Sequence, residues 1–149
     1  TGHLLISTLH TPDAQSTINR MLAMFPTEEQ DVVRVRLAAS LHAIIAQRLL
    51  PRADGKGRVA AFEVVIATPA LREALLDPSR VGRIRDVVAA ESAEHGSQTF
   101  DQHLVQLVAD GVVEASVALA ASTRPLELEG KLQGAKRPTT SKKKGETKG

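Results

Sequence analysis

Two histidines, His3 and His10, bracket a run of strand-forming residues in "TGHLLISTLHT", and Thr11 and Pro12 follow directly. Imidazoles and a hydroxyl beside amides that open a helix suit contact with an anionic oxygen, phosphate above all. If Leu4–Leu9 is a buried strand of a parallel sheet, His10 and Thr11 sit beyond its carboxyl end, where α/β sheets bind ligands. Spacing alone leaves open that the two are ordinary core or surface histidines. A metal centre is not expected. There is no HExxH, no cysteine, and His42, His95 and His103 fall at helical positions without a shared face. A phosphate-cradling G-x-x-x-x-G-K-[ST] loop is also missing; the Gly-Lys pair in "PRADGKGR" has the wrong spacing and lies in a turn. These residues alone do not assemble a complete nucleotide site.

The elements around the histidines follow from patterning. Thr11 as N-cap and Pro12 at the first helical position predict a helix carrying Ile18, Met21, Leu22 and Phe25, ended by Pro26. Thr27 and Gln30 form a capping-box pair opening a second helix over 27–47. Two apolar runs around "DGKG" predict a hairpin over 44–67, with Gly55 and Gly57 supplying positive φ. Thr68 and Pro69 launch a helix through "ALREALLD". "PSRVGRIRDVVAAESAEHG" reads as helical up to Gly96, "SQTFDQHLVQLVADG" as a helix with Phe100, Leu104, Leu107 and Val108 on one face, and "EASVALAAS" as a short final helix before "RPLELEGKLQG". The first part mixes strands with helices; the second is helical.

Charge is uneven along the chain. Residues 136–149, "KRPTTSKKKGETKG", hold six of the 19 basic groups and one of the 17 acidic ones, so the remainder carries a formal charge of −3. That segment has no apolar residue to bury and is expected to be a disordered basic tail, solubilising rather than specific for nucleic acid, although its charge suits peripheral contact with anionic lipid. The only aromatics, Phe25, Phe62 and Phe100, offer no stacking platform for single strands. Without cysteine there is no disulfide framework, and no apolar run reaches the ~18–20 residues of a membrane span. The chain is expected to be soluble.

Taken in order, "TGHLLISTLHT", "TINRMLAMFP", "AQRLLPR", "GRVAAFEVVIATPALREALL", "GSQTFDQHLVQLVADGVV" and "ALAASTRPLEL" resemble the secretion and pilus motor ATPases. The likeness covers everything before the basic tail. It is nearest to the PilT-type retraction branch, since the short, cysteine-free turn near "LLPRADGKGRVAAFE" lacks the zinc insertion typical of extension and type II secretion relatives. The resemblance implies an α/β chain comprising the C-terminal part of a RecA-like P-loop ATPase core (1–67), a helical C-terminal subdomain (68–135) and the tail (136–149). It implies a fragment beginning in mid-strand, after the Walker A and Walker B regions, and inactive by itself. His10 and His3 would be the phosphate-side histidines, with His10 and Thr11 nearest the nucleotide, while "ALREALLD" matches the A-I-R-N-L-I-R-E retraction motif at Ala70, Arg72 and Leu75 and partly at Leu71. Glu73 stands where that motif has asparagine. An amphipathic helix with exposed Arg72 and Glu73 explains the same residues without a motor role. The implied parent is a cytoplasmic homo-hexamer at the inner face of the membrane, using ATP and Mg2+ and working on the pilus inner-membrane platform protein. A related pilus-assembly or type II secretion ATPase, or a non-catalytic helical interaction module, are the alternatives.

Overall fold

The computed structural model describes residues 2–135; the expected tail lies outside the described residues. An antiparallel hairpin forms its centre. Strand β1 (Ala43–Pro51) pairs with β2 (Arg58–Ile66) in unbroken register from Ala43 opposite Ile66 to Pro51 opposite Arg58. Gly55 (φ +70°) and Gly57 (φ +84°) turn the chain, as their sequence positions predict. The far edge of β2 is covered by the segment before α6 (Phe100–Ala109): Val64 exchanges both backbone hydrogen bonds with Gln98, Ile66 N donates to Ser97 Oγ, and Phe62 N donates to His103 Nδ1 at 2.8 Å. The ladder groups of Phe62 and Val64 on that edge are thereby satisfied, as is the amide of Ile66.

Side chains alternate across the hairpin, and its inner face is divided. At one end Ile44 and Val65 join a core with α1 (Ala14–Ala23), α2 (Gln30–Ser40), α3 (Pro69–Leu76) and α4 (Ile84–Ala90), centred on Ile18, Leu71, Leu75 and Ile84. At the other, Leu50 and Ala61 join a second core with α6, α7 (Ala115–Ala121) and α8 (Pro125–Ala135), centred on Phe100, Leu104 and Leu128. Between them the same face carries Arg48, opposite Ala61, and Glu63, opposite Ala46, two register positions apart. The first core draws on residues from both sides of position 67.

Several expectations are revised. Residues Leu4–Leu9 form no strand, and Leu4, Leu5 and Ile6 are 74%, 87% and 83% exposed, because no neighbouring strand is available among the described residues to satisfy their ladder groups. The N-cap of α1 is Asp13, not Thr11, its carboxylate accepting from Ser16 N at 2.7 Å; Pro12 therefore precedes the helix. Thr27 opens a single 3-10 turn, Thr27–Glu29, without a side-chain cap, and Gln30 donates instead to Phe25 O, so the capping box does not form. Helix α2 stops at Ser40 because the hairpin's cross-strand ladder claims residues 43–51. His42, expected in that helix, lies beyond its end. The helix expected over 78–96 is broken into the 3-10 turn Val81–Arg83, α4 and α5 (Ser92–His95) before Gly96 adopts φ +72°. Thr68 caps α3 and Thr99 with Gln102 builds a full capping box on α6.

Arg72 is half-buried rather than exposed. Its guanidinium donates to Ala38 O and Leu41 O, satisfying carbonyls at the end of α2. Arg72→Ala is expected to lower stability by about 1–2 kcal/mol and Arg72→Lys by roughly half of that, since an ammonium reaches one carbonyl at a time. Urea unfolding of the two variants reads the difference.

Candidate functional site

Four consecutive residues after His10 are each tethered by a different group. Thr17 Oγ1 donates to Asp13 O at 2.8 Å, so the 2.7 Å contact between Thr11 and Thr17 hydroxyls is donated by Thr11. Pro12 O accepts from Arg48 Nη2 at 3.3 Å and Nε at 3.4 Å. Asp13 caps α1, and Ala14 N donates to Glu63 Oε2 at 2.7 Å. By contrast, among the described residues no hydrogen bond or ion pair engages His3 or His10, and both side chains are exposed. The structure does not bring the two histidines together. Their free imidazoles suit an incoming anionic oxygen, whereas the Thr11 hydroxyl is already committed to Thr17.

Behind these tethers lies a cleft between the two cores, lined among others by Asp13, Arg48, Glu63, Arg85, Phe100 and Arg124. Its volume of about 180 Å3 is below the ~300 Å3 at which ligand pockets begin, too small for a whole nucleotide. Its charges are also largely matched internally. Arg85 pairs with Asp101, which is 1% exposed and accepts a second hydrogen bond from Ser122 Oγ at 2.9 Å. Arg124 contacts Glu127 at 2.9 Å and Asp86 at 3.7 Å. Arg48 has no carboxylate partner among the described residues; its guanidinium lies 4.2 Å from the Phe100 ring centre and gives Nη1 to Ala121 O at 2.7 Å.

Glu63 is buried, and burial pushes its carboxyl above the ordinary 4.5, with the Asp13 charge adding to the rise and the Ala14 amide, Arg48 and Arg85 opposing it. A carboxyl raised on folding favours the folded state while protonated. The contribution is therefore full below pH about 4.5 and is lost as pH rises through the higher folded value. Glu63→Gln, which keeps an acceptor for Ala14 N, is expected to be at least as stable as the parent at pH 7 and to flatten the pH dependence of stability above 4.5, read by urea midpoints from pH 4 to 8. No motif points to Glu63, while Arg48, which the sequence assigns with Arg20, Arg58 and Arg72 to structural or intersubunit contacts, makes structural ones here. The available signal was a lone carboxylate at an inward strand position in the otherwise apolar "VAAFEVVIA".

The motif helix α3 divides by face. Leu71 and Leu75 are buried in the first core, Arg72 caps α2, and Ala70 and Glu73 face outwards. Beside them Arg80 and Arg83 line a shallow groove floored by Ala74 and Val87. Among the described residues no group of three His, Asp or Glu side chains gathers to hold a metal ion.

Residues 1–101 match the family described as type II/IV secretion system protein. The chain belongs to that family. A "twitching motility protein" of Neisseria gonorrhoeae is 42% identical over 118 residues, 79% of this chain and 31% of that protein. The "type IV pilus retractation ATPase PilT" of Pseudomonas aeruginosa is 42% identical over 113 residues, 76% of this chain and 32% of that one. Among solved structures, "the Pilus Retraction Motor PilT and Bound ADP" superposes with a TM-score of 0.72 at 38% identity, over 87% of this chain and 35% of that one. The chain spans about a third of the length of the relatives it matches. The mixed α/β architecture is thus that of a PilT-like secretion ATPase, consistent with the C-terminal part of its core.

Proposed function

We propose that the chain is the C-terminal portion of a hexameric, ATP-hydrolysing motor that retracts type IV pili, with residues 1–67 completing the RecA-like core and 68–135 forming a helical subdomain. The observation that carries this reading is the shared fold and sequence with the pilus retraction motor over most of this chain. His10, and behind it His3, take the phosphate side of the nucleotide site, exposed and able to donate a ring N–H to an anionic oxygen. Groups that cradle phosphate and hold Mg2+ belong to regions of the parent outside this sequence. ATP, when bound there, supplies the energy of phosphoryl transfer; what this chain contributes is the histidine contact and a helical layer that moves with it. The outward residues Ala70 and Glu73 of α3 face the motor's load, the pilus platform protein at the cytoplasmic side of the membrane.

The full-length protein should hydrolyse ATP as a hexamer, and the 149-residue chain alone should not. Turnover by the purified chain, abolished by His10→Ala, would overturn the division of labour. Deleting the gene separates retraction from assembly. Cells left piliated but unable to retract support the retraction reading, whereas bald cells indicate an assembly motor.

A further inference from the structure

We infer that Arg48 and Glu63 are positioning residues forming a two-ended latch, which carries the position of the His10 segment through the hairpin to the C-terminal helices. Both project from the inner face of the hairpin at its midpoint, between the two apolar cores. Both grip the same junction: Arg48 forks onto Pro12 O, and Glu63 holds the amide of Ala14. Arg48 then spends its remaining nitrogen on Ala121 O, the last residue of α7, 73 positions along the chain, while its plane covers Phe100 at the start of α6.

The geometry gives this arrangement a direction. Before His10 the one hydrogen bond among the described residues is local, Thr11 N to Leu9 O at 3.1 Å; from Thr11 onwards every residue to Ala14 is held by a side chain. A displacement at His10 therefore reaches Pro12 within two residues, and a guanidinium is a rigid planar fork. One that follows Pro12 must change its distance or angle to Ala121 O. Glu63 keeps α1 from absorbing the movement, because its carboxylate fixes the first amide of that helix to β2. The inference rests on the reading of His10 as the phosphate-side residue, but the latch contacts are independent of it.

Two experiments run in parallel separate the two. In the 149-residue chain, Arg48→Met keeps the stem over Phe100 and removes every donor. Backbone amide shifts should change both at 11–16 and at 118–124, whereas Glu63→Leu should move the first set and leave the second. Glu63→Gln and Arg48→Lys serve as milder variants if either fails to fold. Changes confined to one end for both Arg48 variants would overturn the latch. In the full-length motor, Arg48→Met should lower kcat about fivefold while KM for ATP stays within about twofold, with Arg48→Lys recovering part of the loss. A parallel rise in KM with kcat intact, or no change in either, overturns the relay. A wild-type motor without ATP turnover sinks the ATPase reading instead, and the amide shifts then decide the latch alone.

Discussion

Asp101→Ala is expected to cost about 3 kcal/mol or more, the largest stability loss for a single polar substitution in this chain. Asp101 is 1% exposed, pairs with Arg85, and accepts from Ser122 Oγ. It also occupies the first turn of α6, where a negative charge complements the amide end of the helix. Removing it strands the Arg85 guanidinium, only 18% exposed, beside the cleft. Against a typical domain stability of roughly 5–15 kcal/mol this is a large fraction, and it corresponds to a fall in Tm of about 10 °C. Asp101→Asn keeps one acceptor oxygen for Arg85 and turns an amide donor toward the Ser122 hydroxyl, which can rotate to accept, and should lose about half as much; Ser122→Ala should lose about 1 kcal/mol. The double variant Arg85→Ala/Asp101→Ala should be less damaged than the sum of its parts, because the stranded charge is gone. Thermal and urea unfolding of these four variants and of Arg85→Ala alone check the order.

The second large effect concerns turnover. In the full-length motor His10→Ala should lower kcat for ATP hydrolysis by about 100-fold, in the range expected for loss of one group stabilising charge in the transition state. His3→Ala should lower it less, since His3 lies seven residues further from the tethered junction. Steady-state kinetics on both variants, with hexamer formation verified by sizing, measures the contrast. Equal losses would assign the two imidazoles equal roles.

Local signals carried the sequence reading furthest where cap, turn and periodicity agreed. Thr68 with Pro69 and Gly55 with Gly57 each name a backbone geometry that the structure adopts. Where signals competed, the pattern misled. Thr11 and Asp13 are both good caps two residues apart, and the choice is made by distant groups, Arg48 on Pro12 and Glu63 on Ala14. Residues 44–47 satisfy both a helical and a strand pattern, and pairing with β2 decides. Helix α8 was not legible, because Gly130 and Gly134 mask the 128/132 spacing of its buried leucines. The family was legible as a run of motifs. The cleft was not, since Arg48, Glu63, Arg85 and Arg124 come together only through the hairpin register and the packing of α4 and α6.

The charged layer across the middle of the hairpin also bears on how the molecule yields. Two apolar cores that fused would melt as one; these are parted by guanidinium and carboxyl groups that satisfy one another only while both halves are in place. The strands run through both halves as a common spine, and Arg48, Glu63 and the Arg85–Asp101 pair tie the α1 junction and α4 to α6 and α7 across the polar layer. The joint between the halves is thus polar and internal, and disturbing it uncouples two cores that each stay packed.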